Sequence, residues 1–271
     1  MNLIKNTIEI IKEIFQYKEL LVMFVWRDIS IRYKRTILGI LWVILQPLVS
    51  IFIFTILFSK IDHFGSSFLP YNIFVFIGLF YWNLFYAIVN YGSNVLINQE
   101  HIIKKIYFPR EIIIISSCFV QCFDSFIVFI FLLLNIIYYK VNFNFFYNFY
   151  NFILVFIIGI IITIIYALSL SFILSILHGK YKDIRFVTPF ILQLLLFLTP
   201  VVYSSSIITG HYSFLFSIHP IAITIEQTRN LIGNQNINYY PLFLSFFFGI
   251  VILIISICFF RNKIANSIDE L

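Results

Sequence analysis

The sequence predicts an all-α integral membrane protein: six transmembrane helices, an N-terminal interfacial amphipathic helix, and an external re-entrant or interfacial helical segment before the last span. Three observations carry this. Of 271 residues, 61% are hydrophobic and 11% charged, where a soluble domain has about 25% charged residues. Six stretches approach or exceed the roughly 20 apolar residues that a helix needs to cross the hydrocarbon. The basic residues, finally, fall almost entirely on alternate connections between those stretches.

The spans are expected at about 37–58, 71–97, 112–139, 151–177, 186–203 and 240–260. Together they form one six-helix transmembrane domain over 37–260, flanked by a segment at 1–36 and a tail at 261–271. No polar block between them is long enough to fold separately. If the spans alternate sides, one set of connections is 1–36, 98–111, 178–185 and 261–271. This set holds fifteen of the eighteen Lys and Arg residues; the exceptions are Lys60, Lys140 and Arg229. Short cytoplasmic loops concentrate Lys and Arg, so both termini are expected in the cytoplasm. The net charge of +6 follows from that bias and does not call for nucleic acid as a partner.

In chain order, residues 3–20 place Leu3, Ile4, Ile8, Ile11, Ile14 and Phe15 at helical spacing, with Lys5, Glu9, Lys12, Glu13 and Gln16 on the remaining face. This is the pattern of a helix lying in the membrane interface, or of one packed on other protein. It is not the pattern of a cleaved signal peptide, which needs a continuous apolar run. Residues 26–47 pass from a basic cluster directly into the first span, where Pro47 should kink or end a turn. Residues 98–111 form a short, mixed-charge connection. Its Ile102, Ile103, Ile106, Tyr107 and Phe108 either meet a partner or rest on lipid headgroups.

Asp124 is the only formal charge deep in a predicted span. Its cost in lipid requires it to face other helices or a cavity, bonded to neighbours such as Gln121 or Ser125. Residues 204–239 carry an apolar segment interrupted by Pro220, Glu226 and Arg229, which argue against a crossing. Glu226 and Arg229, three apart, are placed to pair on one helix face. Cys118, Cys122 and Cys258 all lie in predicted helices and read as small buried apolar groups. The five His are scattered over both sides, a poor arrangement for a metal site. No segment matches GxxxxGK[ST], HExxH, CxxC or GxSxG, so the sequence gives no local support for nucleotide hydrolysis, zinc proteolysis or serine-ester chemistry.

The string Trp26-Arg27-Asp28 through Arg32-Tyr33-Lys34, followed by Leu38-Gly39 and by Trp42 to Pro47, resembles the N-terminal signature of permease subunits of ABC exporters for bacterial polysaccharides of the O-antigen, capsule or teichoic-acid type. Tyr107-Phe108-Pro109-Arg110-Glu111, Tyr181 to Arg185, Thr199 to Tyr203 and His219-Pro220 with Arg229 are similar to later parts of that family in order and spacing. Two positions depart from it: Asn-Pro is common where this chain has His219-Pro220, and Arg-Asp where it has Lys182-Asp183.

The resemblance implies a permease in a bacterial inner membrane, paired with a second copy of itself and with two copies of a separate ABC ATPase that would carry ATP and Mg. No cofactor would be bound by this chain. Its cargo would be a lipid-linked polysaccharide. Glu100, His101, Lys104, Lys105, Tyr107, Phe108, Pro109 and Arg110 would touch the ATPase, and Trp42, Phe52 and Tyr203 would be candidates for the pore wall. Three alternatives stay open on the residues alone. They are an ABC permease for small hydrophobic drugs or lipids, a membrane enzyme acting on polyprenyl-linked sugars, and a proton-coupled carrier resting on Asp124.

Overall fold

The computed structural model describes residues 12–34, 39–58, 69–143, 149–207 and 218–269. In chain order the helices are α1 (Lys18–Lys34), α2 (Leu41–Phe58), α3 (Tyr71–Asn98), the single turn α4 (Glu100–Ile103), α5 (Glu111–Phe143), α6 (Phe149–Lys180), α7 (Ile184–Leu198), α8 (Pro220–Ile232) and α9 (Tyr239–Asp269), with a 3₁₀ turn at Ser205–Ile207. Among the described residues there is no strand. Within the same residues five helices, α2, α3, α5, α6 and α9, are long and apolar enough to cross a membrane.

The stretch expected to be the fifth of six crossings is shorter than predicted. α7 has 15 residues, a length of about 22 Å against a hydrocarbon thickness of about 30 Å. It ends because Thr199 takes an extended backbone before Pro200, the conformation that a following proline imposes. α2, by contrast, continues through Pro47. Gly39, just before it, has φ 49°, a left-handed backbone that glycine adopts without strain.

α3 is the centre of the bundle: it packs against α2, α5, α6 and α8, while α9 lies on α6 and α1 on α5. In lipid the burial of apolar surface drives association weakly, so interlocking shapes and hydrogen bonds must do more. The rings of Phe80, Tyr81, Phe129, Phe152 and Phe156 interlock around Phe156 with centroids 4.6–5.4 Å from it. Tyr81 is fully buried and its hydroxyl lies 2.9 Å from Thr228 Oγ1 of α8. The Ser171 hydroxyl donates to Ile88 O, tying α6 to α3.

Two polar clusters sit at opposite ends of α3. At its first turn, Arg229 of α8 is buried. It donates from Nε and Nη2 to Phe74 O (3.1 and 2.8 Å), from Nη1 to Pro200 O (2.7 Å) and from Nη2 to Val201 O (2.6 Å), with its guanidinium 3.4 Å from the Phe74 ring centroid. The expected Glu226–Arg229 pair does not form; Glu226 accepts from Ser205 instead. The reason is that carbonyls left open where α7 breaks at Pro200 offer a buried guanidinium several acceptors in its own plane. Gly78 makes room for this, since a Cβ there would lie 2.5 Å from Val201 O and 2.7 Å from Arg229 Nη2.

At the last turns of α3, His178 of α6 is buried between Asn94 of α3 (Nδ1 to Oδ1, 3.1 Å) and Thr188 of α7 (Nε2 to Oγ1, 2.9 Å). That one side chain joins three helices. α8, predicted as re-entrant or interfacial, is buried on nearly every side against α3, α6 and α9. It is therefore part of the core and not a helix lying loose on a surface. The predicted N-terminal amphipathic helix lies partly outside the described residues. Of its apolar face, Ile14 is half-buried and Phe15 exposed, and helical hydrogen bonding runs on through Tyr17 into α1.

Candidate functional site

The residues of the basic N-terminal string converge on one end of the bundle, together with the 98–111 connection and the last turns of α9. α1 is docked there by three sets of contacts. Phe24 is buried with its ring edge-on to Phe108 at 5.5 Å. Asp28 accepts from Arg27 and from Gln99 Nε2 (3.3 Å), the residue after α3. Arg32 and Tyr33 both donate to the carboxylate of Asp124 in α5, and Arg32 also donates to Gln121 Oε1 (3.3 Å). Lys34 is exposed.

Asp124 thus has a base after all. It comes from α1, the helix that precedes the first long apolar one. The two are 92 positions apart, and no local pattern connects them. The only signal was the cost of a lone carboxylate in an apolar run, which demands a partner without naming it.

The 98–111 connection folds as the turn α4 and a loop. Its apolar residues divide between two roles. Ile103 and Phe108 are buried in a cluster with Phe24, Val95, Ile112 and Phe260. Ile106 and Tyr107 are exposed, Tyr107 at 90%. Lys104 pairs with Glu100 one turn earlier, and that ammonium holds the Glu100 carboxyl below its ordinary value. His101 and Lys105 are exposed; Pro109 and Arg110 are half-buried. Beside the loop, a groove of about 290 Å³ runs between Glu13, Tyr17, Tyr107, Arg110, Glu111 and Arg261. Glu13 and Arg261 close it with an ion pair (2.7 Å) that ties the start of the chain to its last helix.

Above the loop two cavities open on one side of α3. The nearer, about 630 Å³, is lined by Arg27, Asp28, Asn98, Gln99, Ser117 and Gln121 among others. The deeper, about 400 Å³, is lined by Trp42, Gln46, Pro47, Asn83, Asn90, Gln121, Asp124 and Ser125 among others. They share Arg32, Tyr91 and Gln121, and the Arg32 guanidinium stands 4.7 Å from the Tyr91 ring centroid.

Of the three pore candidates, Trp42 lines the deeper cavity and Phe52 is exposed on α2. Tyr203 is used differently: its hydroxyl donates to Phe197 O and Leu198 O and so caps the end of α7. Pro220 opens α8, with His219 as its N-cap accepting from Ala222 N–H. The three cysteines are free thiols.

A family model described as ABC-2 type transporter matches residues 19–232, the stretch of chain that runs from α1 to the end of α8. The chain belongs to the ABC-2 type transporter membrane family. It is therefore a transport subunit, and a multi-pass membrane protein by family and by its five long apolar helices. Two proteins of Klebsiella pneumoniae named O-antigen export system permease protein RfbA are similar to this ABC-2 chain. They are 25% and 26% identical over 253 and 256 residues, each alignment covering 93% of this chain and 95% of the relative. A protein of the same name from Myxococcus xanthus is 24% identical over 218 residues, 79% of this chain and 80% of its own length.

Proposed function

We propose that the chain is the permease of an ATP-driven exporter that moves a lipid-linked polysaccharide from the cytoplasm across a bacterial inner membrane. The observation that carries this is the end-to-end similarity to proteins named as O-antigen export permeases, at 93% coverage of this chain. The bias of basic residues toward one end of the bundle supports cytoplasmic termini. A sixth crossing would run through α7 and the turns that follow it, since α7 alone is too short to span.

In this reading two copies form the pathway and two copies of an ABC ATPase bind the loop end. The exposed part of the connection, His101, Lys104, Lys105, Ile106 and Tyr107, with the half-buried Glu100 and Arg110 beside it, offers the ATPase mixed charge around an exposed aromatic ring. The buried part carries the response inward. Phe108 bears on Phe24 of α1, and α1 bears through Arg32 and Tyr33 on Asp124 of α5. A shift of the loop on ATP binding would move α1 against α5, which is the differential contact between two states that coupling requires.

The test is purification of the chain from its native membrane in mild detergent. Co-purification of an ABC ATPase, lost on Tyr107→Ala with the chain still folded, supports the reading. A chain that recovers alone under all gentle conditions and turns over lipid-linked sugars without ATP would replace it with a membrane enzyme.

A further inference from the structure

Asn83, Asn90 and Asn98 are spaced by seven and eight residues on α3, which places them on one helix face about 22 Å long. The helix is otherwise the most buried of the candidate spans. Three carboxamides in a row on a membrane helix are costly unless they face a polar space. All three line the two cavities beside α3, and Gln46, Gln99 and Gln121 come to the same cavities from other segments.

The charges there cancel. Arg27 is bonded to Asp28, and Arg32 to Asp124. The polar groups that remain are neutral ones, carboxamides that each donate and accept, set among apolar side chains such as Phe80, Val95 and Val128, with the Trp42 indole on the deeper side. One acceptor is already waiting: Gln99 Oε1 is buried without a hydrogen-bond partner. The volumes fall within the range of about 300–1,000 Å³ usual for small-molecule sites.

We infer that the two cavities are one binding path for a neutral, hydroxyl-rich ligand, the sugar units of the transported molecule, with Arg32, Tyr91 and Gln121 as the partition between its halves. Carboxamides match sugar hydroxyls in both hydrogen-bonding senses, and an indole face suits the apolar face of a pyranose ring. A lipid tail would leave the carboxamides unsatisfied. A free anion would meet arginines already neutralised. The partition stands only while Arg32 stays on Asp124, so movement of α1 would join the halves. This inference rests on the export function proposed above and specifies where its substrate is held.

The test is protection from labelling in cells. Asn83→Cys and Asn90→Cys are introduced into a chain whose Cys118, Cys122 and Cys258 are replaced by Ser, and exposed to a small membrane-permeant maleimide. Cells are depleted of ATP so that substrate is held on the inner side. Cells making the lipid-linked glycan are compared with cells blocked in the first sugar transfer, which still contain the lipid carrier. Labelling should slow about tenfold when the glycan is present at about ten times its Kd, while Phe243→Cys, in an apolar groove between α6 and α9, labels at one rate in both.

Equal rates at positions 83 and 90 in the two strains overturn the inference, as does protection by the carrier alone. A second measurement does not depend on cysteine variants. Asn83→Leu with Asn90→Leu should insert at normal level yet reduce surface polysaccharide, and Asn→Gln at both should restore part of it. Normal export by the leucine variant would overturn the site. Deletion of the whole chain separates the two levels: unchanged surface polysaccharide would sink the export function, whereas its loss without glycan-dependent protection would sink only the binding path.

Discussion

Arg32, on the helix that precedes the first span, is ion-paired with Asp124, 92 residues further on in α5. Both side chains are mostly withdrawn from solvent, at 25% and 18% exposure. The Tyr33 hydroxyl binds the second carboxylate oxygen. An acid that by itself would read as a transport proton site is here the anchor for α1.

Asp124→Asn keeps an acceptor for Tyr33 but removes the charge opposite Arg32. The loss should be about 1–2 kcal/mol, between the small value of an exposed pair and the 3–5 kcal/mol of a fully buried one. Thermal unfolding in detergent measures it. A double-mutant cycle with Arg32→Gln should show a coupling of similar size, and strict additivity would deny the interaction. A proton-coupled carrier would instead lose the pH dependence of its transport with this substitution while keeping its stability.

Arg229→Lys should be as damaging as a loss of fold. Lysine cannot reach Phe74 O, Pro200 O and Val201 O together, so buried carbonyls go unmet at about 1–3 kcal/mol each. Gly78→Ala attacks the same place from the other side through its clash with Val201 O. Both variants should recover poorly from membranes, with chymotrypsin cleaving between α7 and α8, where the sequence carries Tyr203, Tyr212, Phe214 and Phe216. Wild-type yield and protease resistance in Arg229→Lys would show that the clasp matters little.

Phe108→Ala and Tyr107→Ala, adjacent in sequence, should differ in kind. The first empties a buried contact with Phe24 at about 3 kcal/mol, so melting temperature and activity both fall. The second touches a ring that is 90% exposed, so folding holds while the partner's ATPase activity uncouples from export. Equal melting losses in the two would contradict the division of the loop into a buried and an exposed half.

His219 gives a pH signature outside the spans. Burial lowers its pKa from the ordinary 6.5, and its Nδ1 is occupied as acceptor for Ala222 N–H at the start of α8. The unfolded chain therefore binds a proton before the folded chain does. Its contribution is complete above about pH 6.5 and is lost as pH falls toward the lower folded value. His219→Asn, which keeps an N-cap, should melt like the wild type at pH 7.5 and lose less stability by pH 5.5. Parallel pH curves would remove His219 as the cause.

Much of the bundle was legible because lipid imposes a simple rule: backbone must close on itself over about 20 apolar residues. The helices observed at 71–98 and 239–269 begin within a residue of the predicted spans. At 186–203 the helix stops at Leu198: the apolar composition continues past Thr199 although the helical backbone does not. Glu226 and Arg229 misled by proximity, since the acceptors that hold Arg229 are carbonyls 28 to 155 positions away. The stripe Asn83, Asn90, Asn98 was present in the sequence at helical period, but only its position beside two cavities gives it meaning.

The most direct measurement of the central claim locates the glycan in cells deprived of this chain. If it is the export permease, polymer should vanish from the surface and accumulate inside, still attached to its lipid carrier, and return outward on re-expression of the wild type but not of Arg229→Lys. Polymer at the surface in normal amount, with none retained inside, would contradict it.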